Sequence, residues 1–380
     1  MRAFFKWTLI VLVVVLVMGA IQFFRRMEEL GQFTTLEKVS PGQCRLLHAP
    51  PGVEDIQIDH TARIAFLSSD DRRANAAGTL TRGGIYVLGL DALEAPARLL
   101  TADAPKTAFR PHGISLYTAP DGTRTLMAVN HLTAGNLDTK WQANTVEIFD
   151  VTGAGDTLAL TLRRTVSMPE MTAPNDLVAV GPDSFYVTNM VGSTSGLGLA
   201  LEAFFNLHRS SLLYFDGTKM TRVVEGLAYA NGVNVSKDGK TIFLAESGAR
   251  RLSAYSRDAA TGTLTLIQDG FFGTGLDNID VAPDGALWIG AHPRMGDFLM
   301  HASDPKNLSA SQVLRVEPQA GGAARTLYTD EGGEFSGLAT AVEFTGADGV
   351  KRFLAGPVFA PYLLQCDWTA PTPPGEPQQD

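Results

Sequence analysis

The chain has 380 residues, 45% hydrophobic and 19% charged, with a formal net charge of −9. That length suits one large domain or two ordinary ones, with a substantial core. The acidic balance argues against nucleic acid as a partner, because phosphate binding needs basic surface.

In chain order, the first element is apolar. Residues 8–24, TLIVLVVVLVMGAIQFF, run 17 residues without a charge, near the short end of a membrane-spanning helix. Arg2 and Lys6 precede the run, and Arg25 and Arg26 follow it. The pattern predicts a signal anchor or transmembrane segment over residues 1–26, with its amino end in the cytoplasm. The rest would then lie outside the cytoplasm, periplasmic or extracellular. The alternative is a cleaved signal peptide, with Met18-Gly19-Ala20 as a weak cleavage site, and a secreted protein. Without the four basic side chains of residues 1–26 the remainder is near −13. The two cysteines, Cys44 and Cys366, stand at either end of that remainder. In an oxidising compartment they either close one disulfide around a very long loop or are two unrelated thiols.

Beyond the anchor, a degenerate repeat organises the sequence. A turn followed by an apolar strand recurs as Ala119-Pro120-Asp121-Gly122 before TLMAV and as Gly181-Pro182-Asp183-Ser184 before FYVTN. It returns as Lys237-Asp238-Gly239 before TIFLA, Ala282-Pro283-Asp284-Gly285 before LWIGA, and Ala347-Asp348-Gly349 before RFLAG, with Asp59-His60 before ARIAFL as a weaker first member. Asp-Gly between apolar runs is a strong hairpin signal. Each unit has one strand before the turn, such as LVAVG or IDVA, and a further strand later, such as TVEIFDV or SLLYFDG. Six units of about four short strands predict an all-β, six-bladed propeller over residues 40–368, closed by pairing of the chain ends. A Cys44–Cys366 bridge would fasten that closure. Two segments break the pattern. Leu199, Ala203, Phe204 and Leu207 fall at near-helical spacing, predicting a short amphipathic helix near 197–209 that serves as a lid, a membrane contact or simple packing. The tail 369–380 is Pro-rich and polar, and reads as disordered.

In a propeller, the residue entering the innermost strand of each blade faces the channel mouth. Those places hold Glu54-Asp55, His112, Asn175-Asp176, Asn231 and Asp277-Asn278. A ring of carboxylates and carboxamides is costly unless it surrounds a hard cation with many oxygen ligands, for which calcium is suited and zinc is not. Glu54, Asn175, Asn231, Asp277 and Asn278 supply five such side chains with two negative charges. Successive strand residues point opposite ways, so the second members, Asp55 and Asp176, suggest a deeper second ion, with a backbone carbonyl near Ile114. His112 faces the channel, and His131, ending the next strand, returns toward it. His292 ends the strand LWIGAH. His48, His60, His208 and His301 read as surface or loop residues.

The segments PHGISLY, PNDLVAVG, YANGVNVSKDGK, LDNIDVAPDGALWIGAHP and GPVFAPYLLQC resemble the paraoxonase/arylesterase family, in order and over roughly residues 40–368. The resemblance implies a six-bladed propeller with two calcium ions that hydrolyses lactones, with aryl esters and phosphotriesters as secondary substrates. It implies Glu54, Asn175, Asn231, Asp277 and Asn278 as catalytic-calcium ligands. It implies Asp55, Asp176 and the Ile114 carbonyl at a structural calcium, His112 and His131 as a catalytic dyad, and a Cys44–Cys366 disulfide. Tyr229, Val358, Phe359 and His292 are candidate walls for the substrate. The sequence departs from the family after TNM and over residues 70–84, near loops expected to shape the mouth. The rival readings are a gluconolactonase-type sugar-lactone hydrolase and a non-catalytic, membrane-tethered binding propeller.

Overall fold

A computed structural model describes residues 2–79, 81–103, 105, 108–133, 144–318 and 321–369. Among these residues, six four-stranded antiparallel sheets are arranged as the blades of a propeller. The innermost strands are Val53–Asp59, Pro111–Thr118, Pro174–Ala179, Ala230–Val235, Gly275–Val281 and Leu338–Thr345. Each packs on the next, and the sixth returns to the first. The core lies between blades: Met127, Val129 and Ile148 of the second, for example, pack with Leu177, Val187 and Leu213 of the third. Removing such apolar surface from water is the main drive to close the ring.

The closure is the one the sequence predicts. Strand Cys44–His48 is the outer edge of the sixth blade and pairs antiparallel with Tyr362–Asp367, so Cys44 lies opposite Cys366. The two form a disulfide.

The repeated Asp-Gly turns have one chemistry. Asp121, Asp238, Asp284 and Asp348 each accept, through Oδ1, the backbone N–H two residues on, at 2.9–3.1 Å. Gly122, Gly239, Gly285 and Gly349 take φ of 73–88°, which side-chain-bearing residues disfavour. These turns join the first and second strands, so they mark the bottom of the propeller. Antiparallel pairing then puts the start of each innermost strand and the end of each second strand at the opposite, upper end.

Three of the helices occupy that upper end, in connections that follow second strands: Arg72–Ala76, Gly196–Phe205 and Met295–Ser303. The second is the predicted amphipathic helix, running Gly196–Phe205. Ser195 caps its start by accepting from the Gly198 N–H, and Asn206 ends it in a left-handed conformation at φ 50°. Of the expected apolar stripe only Leu199 is buried, whereas Ala203 and Phe204 face outward. Glu202 anchors the helix instead, its carboxylate accepting the N–H groups of Gly192 and Ser193.

Helix Arg2–Glu29 is long and apolar enough to cross a membrane, with a mean hydropathy of 2.5 over its apolar window, none of which is buried. A signal sequence passes the same test. The helix and the turn after it meet the upper face: Gln22 donates to the Phe204 carbonyl, and Gln32, beyond the helix, donates to Asp297. The tail from residue 370 onward lies outside the described residues.

Candidate active site

Every innermost strand carries an irregularity at its upper end, where one extra residue enters against the second strand. The shifts fall at Val53/Asp55, Pro111/Ile114, Pro174/Leu177, Ala230/Val233, Leu276/Ile279 and Leu338/Thr340. They enclose Glu54, His112, Asn175-Asp176, Asn231 and Asp277-Asn278. A bulge suspends regular alternation and re-aims side chains. This corrects the expectation that alternation alone sorts neighbouring residues between two levels. It also explains why Asp277 and Asn278 both engage upper-level groups: Asp277 meets His292, and Asn278 donates to the Glu54 carbonyl and Oε1 at 2.9 and 3.0 Å.

All seven side chains, Glu54, Asp55, Asn175, Asp176, Asn231, Asp277 and Asn278, are buried. Their hydrogen bonding divides them. Each carboxamide has its NH₂ engaged: Asn175 toward Met190 Sδ, Asn231 to Ser247 Oγ at 3.0 Å, and Asn278 to Glu54. That orients the amide oxygens. Asn175 Oδ1, Asn231 Oδ1, Asn278 Oδ1 and Glu54 Oε2 are buried with no hydrogen-bond partner among the described residues. Unpaired buried oxygens are rare in native proteins and each costs about 1–3 kcal/mol. Four from four different strands of one channel call for a shared electropositive partner.

The deeper pair differs. Asp55 accepts from the N–H groups of Ile56 and of Ile114 in the next blade, both at 2.7 Å. Asp176 accepts from Leu177 at 2.7 Å and from Val233 in the next blade at 2.8 Å. The N–H of Ile114 thus already serves the Asp55 carboxylate. Blades approach closely here: a Cβ on Gly113 would sit 2.3 Å from Asp176 Oδ1.

Charge makes the need for a cation sharper. Burial, then Asp277 and Asp55, outweigh Arg72 and push the Glu54 carboxyl up to about 8. Burial raises Asp55 to about 7 against its two backbone hydrogen bonds. Burial and then Asp55 raise Asp176 well above the carboxylate range. No three His, Cys, Asp or Glu groups by themselves form a metal cluster among the described residues. The converging donors are a mixture of carboxylates and carboxamides, which is the chemistry of a hard cation.

The histidines meet as expected. The His112 and His131 rings lie 5.0 Å apart, edge to face. His112 Nε2 is 3.4 Å from Glu54 Oε1, and its Nδ1 is 3.3 Å from Arg72 Nη2. A guanidinium only donates, so Nδ1 accepts and Nε2 carries the proton. His131 Nδ1 donates to Asn144 Oδ1 at 2.8 Å, and the Asn144 NH₂ is directed at the Met171 and Thr172 carbonyls. Burial, then Arg72, holds His112 well below its ordinary pKa. Burial takes His131 down to about 4, against its bond to Asn144.

Among the candidate walls, Val358 is buried and Phe359 half-buried. Tyr229 is 40% exposed at φ 54°, yet burial of its hydroxyl and the charges of Asp277 and Glu54 push it up to about 12. His292 sits behind Asp277, 2.8 Å from its Oδ2, and is buried.

Sequence reading missed Arg72. Its guanidinium reaches the Gly52, Val358 and Pro111 carbonyls as well as His112, tying three loops at the mouth. The only signal was the Asp-Asp-Arg-Arg run opening the stretch 70–84, where the sequence departs from the family. His301, expected at the surface or in a loop, is buried on helix Met295–Ser303.

A six-bladed propeller with an oxygen-lined channel mouth and an imidazole pair beside it defines a class of propeller hydrolases. The sequence model of the Arylesterase family matches residues 35–367. Mouse serum paraoxonase/arylesterase 1 is 32% identical over 265 residues, 69% of each chain, and mouse serum paraoxonase/lactonase 3 is 28% identical over 348, covering 90% of this chain and 93% of that one. The chain belongs to the arylesterase family and is an ester-hydrolysing enzyme with a small-molecule substrate. Among solved structures, a putative gluconolactonase matches with a TM-score of 0.50 at 13% identity, covering 87% of this chain and 94% of that one. The calcium-binding protein regucalcin from Agrobacterium tumefaciens matches with a TM-score of 0.50 at 15% identity, covering 87% and 95%. At such identities the likeness is one of fold.

Proposed function

We propose that this enzyme is a calcium-dependent lactonase, with aryl esters and phosphotriesters as secondary substrates, tethered to a membrane by helix Arg2–Glu29 with its propeller outside the cytoplasm. The observation that carries the calcium reading is the set of four partnerless buried oxygens, on Glu54, Asn175, Asn231 and Asn278. Together with Asp277 they would hold one ion, and Asp55 and Asp176, with the Ile114 carbonyl, a second. Calcium bound at the upper place supplies a Lewis acid for the ester carbonyl and its oxyanion.

The remaining work falls to this chain's residues. His292 orients Asp277, and the amide of Asn278 holds Glu54 in register. Held neutral by burial, His112 takes the proton of the attacking water at Nδ1, its one unprotonated nitrogen, which parts from Arg72 to receive it, with His131 beside it as relay. Arg72 fixes the tautomer of His112, and Asn144 fixes that of His131. Tyr229, Val358 and Phe359 form apolar walls. The tether is supported by the exposed apolar side chains beside the mouth, among them Phe33, Leu197, Leu201, Leu299 and Met300.

A lactone panel assayed before and after EGTA dialysis, with calcium measured by elemental analysis, tests this reading. Full turnover by calcium-free protein would refute it. His112→Gln is expected to lower turnover about 10²-fold, and wild-type rates would remove His112 from the chemistry. The gluconolactonase alternative predicts a preference for sugar lactones over aliphatic ones in the same panel.

A further inference from the structure

From Asp277 a row of aromatic rings leads away across the upper face. Asp277 Oδ2 holds His292. The His292 ring lies 4.1 Å from Phe298, on helix Met295–Ser303, and Phe298 stacks at 5.9 Å on Phe359. Phe298 and Phe359 are both only part-buried. Over Phe359, 4.4 Å from its centroid, sits the guanidinium of Arg73, from helix Arg72–Ala76.

Arg73 is unlike most arginines of this acidic chain. Arg45, Arg63, Arg163, Arg251, Arg315 and Arg352 each pair with a carboxylate. Arg73 has no carboxylate within ion-pair distance among the described residues. Its one side-chain hydrogen bond among them is from Nη2 to His301 Nε2, at 3.1 Å. His301 is buried, and its Nδ1 donates to the Asn307 carbonyl at 2.6 Å, which fixes Nε2 as the acceptor. The two acids nearest in sequence or charge are otherwise employed. Asp71 caps the helix through the Ala74 N–H, and Asp304 accepts from Lys306. A guanidinium stacked on a ring and steered by a fixed imidazole keeps in-plane donors for a planar anion.

We propose that Arg73 is the anion-accepting end of the substrate cleft, selecting esters and lactones whose apolar chain lies along Phe298 and Phe359 and ends in a carboxylate. This rests on the reading that ester hydrolysis occurs at the Glu54–Asp277 end. The chemistry itself is unchanged: water adds to the carbonyl, the ester C–O bond breaks, the leaving oxygen takes a proton, and the distal carboxylate is a spectator.

The test compares phenyl dodecanoate with mono-phenyl dodecanedioate, chains of equal length differing in a terminal carboxylate and long enough to follow the row of rings. The expected ratio of kcat/KM, dodecanedioate over dodecanoate, is about tenfold in the wild type, the scale of one charge-assisted hydrogen bond. It should collapse toward one in Arg73→Met, be largely retained in Arg73→Lys, and fall as salt rises. Melting curves of both variants exclude misfolding as the cause. A wild-type ratio near one, or a ratio unaltered in Arg73→Met, overturns the anion end while leaving the hydrolase reading intact. Failure of both esters and of lactones to turn over would instead remove the hydrolase reading, and this inference with it.

Discussion

The upper and lower levels of the channel are built from neighbouring residues on the same bulged strands, yet they are finished differently. At the upper level Glu54, Asn175, Asn231 and Asn278 each present a buried oxygen with nothing bound to it among the described residues. One residue deeper, both oxygens of Asp55 and of Asp176 are taken by backbone N–H groups, and each carboxylate bridges two blades. The upper oxygens pay for being left open by exposing nothing to water and gaining nothing from the chain, which is sensible only where a ligand completes them. The lower carboxylates gain from the fold itself. Under the calcium-dependent reading proposed above, chemistry would fall to the upper level and cohesion to the lower.

Removing calcium should produce the largest effect and separate the two levels. If the upper level holds the ion that serves the chemistry and releases it first, activity is expected to vanish before the melting temperature moves. Loss of the second ion should then lower stability by about 4 kcal/mol if calcium stands near a thousand times its dissociation constant. Isothermal titration of calcium back into stripped protein, followed in parallel by turnover and melting, checks this. A single class of site restoring both together would erase the distinction.

Substitution sharpens the comparison. Glu54→Gln keeps the shape and an acceptor for Asn278 but removes a charge from the upper ring. Turnover should fall about 10²–10³-fold, the scale of a lost transition-state electrostatic contact, with little change in melting. Asp176→Asn should do the reverse. It presents an NH₂ where the backbone N–H of Leu177 or Val233 needs an acceptor, so it should cost about 1–3 kcal/mol of stability. Equal effects of the two variants on both readouts would mean that the levels are one unit.

Much of this layout is legible in the sequence because it follows from local rules. Asp121-Gly122, Asp238-Gly239, Asp284-Gly285 and Asp348-Gly349 announce hairpins, and their recurrence gives the blades. The polar pairs stand out because Asn175-Asp176 and Asp277-Asn278 interrupt otherwise apolar strands. What the sequence hid depends on contacts between distant segments. The bulges that turn these pairs stayed hidden, since the extra residue at Pro174/Leu177 or Leu276/Ile279 is visible only against the second strand. Arg72 and His301 looked like loop residues because their partners, His112 and Arg73, lie 40 and 228 positions away in the chain. Which way helix Gly196–Phe205 faces was not legible either, because Glu202, not an apolar residue, anchors it to the loop at Gly192 and Ser193.

The pH dependence of the calcium-free protein offers the finest probe of the two levels. In the absence of metal, Glu54 is raised from an ordinary 4.5 to about 8 and Asp55 from 3.8 to about 7, both chiefly by burial. Between those limits the folded protein holds protons that the unfolded chain has released, so stability must fall as pH rises. The fall should begin near pH 4 and flatten above about pH 8, with a slope of at most about 1.4 kcal/mol per pH unit for each group. That corresponds to roughly 2–4 °C of melting temperature per kcal/mol for a domain of this size. Calcium bound as proposed would hold the same carboxylates ionised in the folded state, so the loaded protein should lose this decline. In Glu54→Gln the upper contribution disappears, leaving a shallower calcium-free slope carried by Asp55 and Asp176. Melting the stripped wild type and this variant across pH 4.5–8.5 measures both. A calcium-free melting temperature that rises over that range would show that the buried carboxylates are compensated by the fold itself, and that the upper level is not left open for a cation.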